Sequence, residues 1–380
     1  MTATLAFAAI MAVFAALTWF LWQQQHSDEE NGPEQEDARI SPLLRGINYL
    51  LSDEPDQALK ELVHVARLQT ETAEVYLALG DLFRNKGEFG RAVRIHQNLL
   101  ARPGLPEALH LEAQLALSRD FQAGGLLGRA LQQYRKVLDV QPDHIPALEA
   151  TLRIREQGQE WQKAAGVLSR LDQVRGTSSS LHRAYLMTEM ARQKRREGDE
   201  KQALELVAKA IDMNPACAAA HILLAEINLK RGDHDAAFTS MERLQQAAPQ
   251  YVPLLIPLLL EYPETYTKQG EAFLLSCWKK DHDEFMALEW IDGVLNCYGV
   301  EKANTLKTKI SFSPTGLRTC LHLQAMMGDD EALTRAIRHW QQQSRNFTCG
   351  HCGVEVIDMR WQCPQCHEWG SMRPIQEEQL

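Results

Sequence analysis

The first 38 residues contain no lysine or arginine, against six acidic residues. The bias of basic residues toward the cytoplasmic side of a membrane segment therefore has nothing to act on before Arg39. Across the chain the formal net charge is −10, and no basic block stands out, which argues against nucleic acid as a partner. Catalytic signatures are missing as well. There is no phosphate-binding glycine loop, no G-x-S-x-G and no H-E-x-x-H, and no acidic pair forms an evident acid/base couple. The sequence gives no positive evidence for an enzyme. Strand-like alternation is lacking too, up to residue 346.

What is present is a period. In residues 73–104, AEVYLALGDLFRNKGEFGRAVRIHQNLLARPG, Gly80, Phe83, Gly87 and Ala92 mark two apolar helical stripes around a tight turn. Gly46, Tyr49 and Ala58 stand in the same relation 34 residues earlier. The small residue of each second helix recurs at Ala58, Ala92, Ala130, Ala164, Ala203 and Ala237, giving six units. A 34-residue helix–turn–helix period with small residues where helices cross is the tetratricopeptide pattern, whose units must stack to bury their apolar faces. Two intervals are longer, with additions near Arg102–Pro106 and Gly176–Ser180. In the fourth unit Trp161 and Ala164 hold the register, but the first-helix glycine is missing.

Ahead of the repeats, residues 3–22 are 20 uncharged, mostly apolar residues with Trp19 and Trp22 at one end. At about 1.5 Å per residue they span a ~30 Å hydrocarbon core. The stretch exceeds a signal-peptide core and has no basic leader, so it reads as a retained single-pass anchor, 1–22. Residues 23–39 are acidic and polar, a flexible linker. The expected organisation continues with six repeats over 40–250, degenerate repeat-like hairpins over 251–345, a metal-binding module over 346–375 and a tail, 376–380. The expected fold is all-α, a tetratricopeptide-repeat superhelix (α-solenoid) with an N-terminal transmembrane helix and a small C-terminal four-cysteine zinc-ribbon or rubredoxin-like domain. Beyond Pro249, apolar residues keep helical spacing in 271–278, 285–297, 317–327 and 332–340.

Of eight cysteines, Cys217, Cys277, Cys297 and Cys320 are scattered through helical segments, where buried thiols behave as small hydrophobes. Cys349, Cys352, Cys363 and Cys366 are different: two C-x-x-C pairs separated by ten residues. Two residues between ligands form a tight knuckle with both sulfurs aimed at one centre, and four thiolates complete a tetrahedron. Gly353 permits the positive φ that such a turn needs, and Pro364 stiffens the second knuckle. VEVIDMRWQ between them reads as a short hairpin, with Trp361 and Trp369 packed around the site. One zinc ion is the expected occupant, with iron as the alternative; a closed site suits structure rather than hydrolysis. Thiolates persist most easily in a reducing compartment, which favours the cytoplasmic side of the membrane.

In tetratricopeptide units the first helix lines the inner surface. Positions 9 and 12 there place Arg84, Arg119, Arg153, Arg192 and Arg195 inward. They form a candidate groove for an acidic partner segment, because Arg forks pair with carboxylates. The competing reading is a solvated face with local pairs such as Arg153 with Glu156. His96, where another unit has Leu62, reads as a core histidine.

Two segments carry a family resemblance: Gly80-Asp81-Leu82-Phe83-Arg84-Asn85-Lys86-Gly87-Glu88 with Arg91 through Gln97, and Trp361-Gln362-Cys363-Pro364-Gln365-Cys366-His367-Glu368-Trp369 with Arg373-Pro374-Ile375. Together with the order anchor, linker, repeats and rubredoxin-type ribbon, they resemble the lipopolysaccharide assembly protein B family of Gram-negative bacteria. The resemblance implies an inner-membrane adaptor, single-pass, with its soluble part on the cytoplasmic side. Its implied partners are a membrane-bound AAA+ zinc protease, the committed-step deacetylase of lipid A synthesis, and inner-membrane regulators or lipopolysaccharide assembly proteins. It implies metal ligation by Cys349, Cys352, Cys363 and Cys366, and docking of the ribbon against the repeats. The family's basic residues after the membrane helix are absent, and the ending QEEQL differs from its usual one. A non-proteolytic scaffold and, more remotely, an electron-transfer protein are the alternatives.

Overall fold

A computed structural model describes residues 73–312 and 346–375, with the isolated positions Tyr49, Gln57 and Gln324. The expected anchor 1–22, the linker 23–39, most of the first repeat, the remaining stretch to residue 345 and the tail 376–380 lie outside the described residues. Among the described residues, no helix is long and apolar enough to cross a membrane.

Five helix pairs follow one another: α1 Ala73–Asn85 with α2 Phe89–Leu100, α3 Glu107–Ala123 with α4 Leu127–Val140, α5 Ile145–Gln157 with α6 Trp161–Arg175, α7 Ser180–Arg196 with α8 Glu200–Met213, and α9 Ala218–Arg231 with α10 His234–Ala247. Each pair turns through one residue in the left-handed region. It is glycine in four pairs, at Gly87, Gly125, Gly198 and Gly232, and Gln159 with φ +55° in the third. A side chain with a Cβ is strained there, so this turn departs from the glycine pattern of the other four. Five residues after each turn, Ala92, Ala130, Ala164, Ala203 and Ala237 are all 0% exposed. A methyl is all that the crossing of the two helices admits.

The chain divides into two compact units, Met1–Ala147 and Leu148–Leu380. In the first, Val75, Leu79, Leu82 and Phe83 of α1 pack with Ala92, and Tyr49 lies against them. His96 fills the space above Gly80, and it is not a simple apolar filler. Its Nδ1 lies 2.5 Å from Oδ2 of Asp120, and Arg84 reaches the other oxygen of that carboxyl at 3.0 Å. Both His96 and Asp120 are fully buried.

In the second unit the regular pairing ends at Pro249. Pro249–Leu254 is a 3-10 turn and α11 only Leu255–Leu260; the proline inside the turn, Pro253, has no N–H to give to a helix. A π-helical turn at Tyr266–Gly270 leads into α12 Glu271–Asp281, α13 Glu284–Tyr298 and α14 Val300–Lys309. The helical spacing seen at 271–278 and 285–297 thus corresponds to α12 and α13, while 317–345 lies outside the described residues apart from Gln324. These elements close around Trp290, whose indole N–H donates to Tyr266 at 2.8 Å. Cys217 and Cys277 are buried thiols as expected, but Cys297 is exposed.

The C-terminal module is a three-stranded antiparallel sheet in the order β2-β1-β3, from β1 Phe347–Cys349, β2 Glu355–Val356 and β3 Met372–Pro374. Residues 354–362 do not form a hairpin of their own, contrary to expectation. Glu355 pairs with Thr348, and Gln362 bridges to Trp369 instead. The first knuckle turns the chain back on β1, so the pairing partner is already in place.

Candidate metal centre and its seat on the repeats

Each knuckle is closed by its own backbone. In the first, the N–H of Gly353 donates to Cys349 O at 2.8 Å, and the N–H of Cys349 to Val354 O at 2.8 Å. The second repeats the pattern: His367 donates to Cys363 O at 3.0 Å and Cys363 to Glu368 O at 2.9 Å. Gly353 takes the left-handed position in one, at φ +76°, and His367 in the other, at +60°. The amide of Cys366 points at Cys363 Sγ, 3.5 Å away, a dipole that favours a thiolate.

All four sulfurs lie within 4.8 Å of one another. Cys349 and Cys366 are 3.7 Å apart, and so are Cys352 and Cys363. A disulfide would need about 2.05 Å, whereas a tetrahedron with metal–sulfur bonds of about 2.3 Å has edges of about 3.8 Å. The donor set fits a closed four-thiolate site for zinc or iron. Burial pushes the Cys349 thiol up, but contacts with Ser371 and the amides of Cys352 and His351 outweigh it and bring it to about 6. Burial raises the Cys366 thiol to about 12. A cation at the centre of four sulfurs this close favours the thiolate form of its ligands. Such an ion supplies charge and cross-linking; the chain supplies the shape.

Trp361 and Trp369 do not wrap the site as expected. They face the repeats of the same unit. Trp369 stacks on Tyr185 with centroids 5.4 Å apart and meets Trp161 edge-on at 6.3 Å. Trp361 lies 5.8 Å from Tyr185 and 5.3 Å from Tyr251. Aromatic pairs of this kind add about 0.5–1.5 kcal/mol each beyond the area they bury. Phe285 of α13 meets Phe347 at 5.9 Å. The polar centre of the seat is Glu156, only 4% exposed. It accepts from Gln362 Nε2 at 2.8 Å and Trp369 Nε1 at 3.3 Å, and faces His182 Nε2 at 2.5 Å. This replaces the Arg153–Glu156 pair read from the sequence. Burial raises the Tyr185 and Tyr251 hydroxyls, so both stay neutral, and that of Tyr251 donates to the ribbon.

The candidate groove arginines divide by environment. In the first unit, Arg84 is committed to Asp81 at 2.7 Å and to Asp120 at 3.0 Å, while Arg119 is exposed. In the second, Arg192 pairs with Glu189 at 3.4 Å and Arg195 with Glu226 at 2.8 Å; Arg153 is exposed. Asp120, Tyr185 and Tyr251 escaped the sequence reading, and Glu156 entered it only as a local partner for Arg153. Tyr185 had a signal, since it occupies position 2 of its unit, one of the inner-face positions. Asp120 had none, because its partners lie far away in sequence, and Glu156, at position 12 of its unit, gave no sign of its contacts with the ribbon.

A family model described as a rubredoxin metal binding domain matches residues 347–374, and a tetratricopeptide repeat model matches 188–252. Over its whole length, the motif-based resemblance is upheld. The chain is similar to lipopolysaccharide assembly protein B. The Escherichia coli (strain K12) protein of that name is 26% identical over 379 residues, covering 96% of this chain and 97% of that protein. The Haemophilus influenzae protein of the same name is 25% identical over 391 residues, covering 97% and 98%. Among solved structures, a tetratricopeptide repeat protein from Parabacteroides merdae covers 78% of this chain and 96% of that one, with 13% identity and a TM-score of 0.35. The repeat fold and the lipopolysaccharide assembly protein B relatives mark a non-enzymatic adaptor or scaffold.

Proposed function

We propose that the chain is an inner-membrane-tethered adaptor that regulates lipopolysaccharide biosynthesis. In this reading the repeats present the UDP-acyl-N-acetylglucosamine deacetylase of lipid A synthesis to a membrane-bound AAA+ protease for degradation. The observation that carries it is the full-length match to lipopolysaccharide assembly protein B in a chain whose four-cysteine ribbon is seated on its repeats. Residues 1–22 serve as the anchor, and the reduced thiols favour a cytoplasmic position for the repeats and the ribbon. One zinc ion on Cys349, Cys352, Cys363 and Cys366 holds the ribbon together, because about thirty residues cannot build a sufficient core.

Depleting the protein should lengthen the half-life of the deacetylase and raise lipopolysaccharide; an unchanged half-life sinks this reading. A scaffold that gathers synthesis and transport enzymes without directing degradation is the second reading, because the repeat fold supports protein partners in general and nothing in it is specific to a protease. In a strain lacking the protease, a scaffold keeps both its partners and its phenotype, and an adaptor loses the phenotype.

A further inference from the structure

We infer that Glu156 and Tyr251 are positioning residues for the metal centre, so that occupancy of the four-thiol site and order of the repeat surface at α5 and α7 are coupled. Each knuckle has its own anchor on the helical part of the unit, one on α5 and one in the 3-10 turn that follows α10. The hydroxyl of Tyr251 shares its proton between the carbonyls of Gly370, at 2.9 Å, and Met372, at 3.0 Å. These two residues bracket Ser371, whose Oγ lies 3.2 Å from Cys349 Sγ and whose carbonyl accepts from the N–H of Gly350 at 2.8 Å. Tyr251 therefore fixes the piece of chain that backs the first knuckle. Glu156 holds Gln362, the residue before Cys363, and Trp369, which faces Gln362 across a bridge. It clamps both ends of the second knuckle.

Contact is close enough to transmit small shifts. Gly370 sits at φ +64°, and a Cβ there would come within 2.7 Å of the Tyr185 hydroxyl. No side chain intervenes, so the ribbon cannot slide without disturbing Tyr185. A ribbon this small is ordered by the metal and the repeats together, and whichever binds first spares the other part of the ordering entropy. The same coupling acts in reverse on the repeats. None of this depends on which partner the repeats carry.

The test uses the full chain in detergent, with zinc and cobalt(II) affinities measured by competition against a chromophoric chelator. Tyr251→Phe, which removes one hydroxyl, and Glu156→Ala should each weaken affinity about 10-fold, the low end for groups that support metal ligands. Glu156→Gln, which keeps an acceptor oxygen, should recover most of it. The cobalt spectrum should stay tetrahedral in all three. Reciprocally, stripping the metal should speed amide exchange in α7 about 10-fold while leaving α2 unchanged. Affinities within twofold of the unaltered protein for Tyr251→Phe, or α7 exchange indifferent to metal, would overturn the inference.

Discussion

Replacing glycine by alanine inside a helix ordinarily stabilises it by about 0.8–1 kcal/mol. At Gly80 the structure predicts the opposite. A Cβ there lands 2.3 Å from both Cε1 and Nε2 of His96 and 2.9 Å from Cδ2. The ring is fully buried. It is held by Asp120 at 2.5 Å, with Leu77 O 3.4 Å from its other nitrogen. It can yield only by leaving Asp120, a buried carboxyl that would keep Arg84 alone. Overpacking costs about 1–3 kcal/mol and loss of a charge-assisted hydrogen bond about 1.5–3. Set against the propensity gain, Gly80→Ala should destabilise this hairpin by about 2–4 kcal/mol. Repeat arrays open locally, so the assay is amide hydrogen exchange of α1 and α2 in the full chain. Exchange should accelerate roughly 30- to 1,000-fold, at about 1.4 kcal/mol per tenfold. In a His96→Ala background the same substitution should slow exchange, because only propensity remains. Slower or unchanged exchange in the single variant would refute the packing argument.

Backbone strain at the turns gives a paired expectation. Gln159→Gly should stabilise its hairpin by about 0.5 kcal/mol, and Gly198→Ala, where no atom lies within 4 Å of the new Cβ, should cost about 1 kcal/mol. Thermal unfolding that moves both variants the same way contradicts this. Burial, with Asp292 beside it, raises the Glu289 carboxyl from 4.5 to about 7. The folded state then binds more protons than the unfolded one between those values, so stability falls as pH rises through that window. Glu289→Gln should therefore gain about 1–3 kcal/mol at pH 8 and little at pH 4.5; the same gain at both pH values rules this out. For the expected inner face of the second unit, Arg153→Glu should weaken partner capture without loss of helicity, and equal capture would make this arginine ordinary surface. Arg84→Glu is a poor substitute, because it sets a second carboxyl against buried Asp120.

The repeats were legible because their constraint is local and periodic. Ala92, Ala130, Ala164, Ala203 and Ala237 can be aligned by eye, and each is buried completely. The weak unit is legible as weak from its missing first-helix glycine, where Leu152 stands, and its turn also departs from glycine, at Gln159. The four cysteines announced their convergence through spacing alone. Long-range chemistry was silent. Asp120 and Glu156 look like the solvated acids that fill helix surfaces, and their partners lie 24 and more than 200 residues away. Trp361 and Trp369 were read as local packing for their own small module. A three-stranded sheet with two knuckles leaves two large aromatic rings no interior to occupy, so they turn outward to the repeats.

The bonds from Glu156 to Gln362 and Trp369 also set an order of events during synthesis. They join residues 206 and 213 positions apart, whereas the helix pairs close over a few residues each. As the chain emerges, α5 to α8 can assemble long before the ribbon exists. Until then the faces of Trp161, Tyr185 and Tyr251 that the ribbon covers stay open to water, and Glu156 lacks two of its donors. The nascent repeats thus carry a sticky aromatic patch until the ribbon, made later, covers it. A product cut short before Cys363 keeps that patch open permanently, and is marked as incomplete by its surface alone.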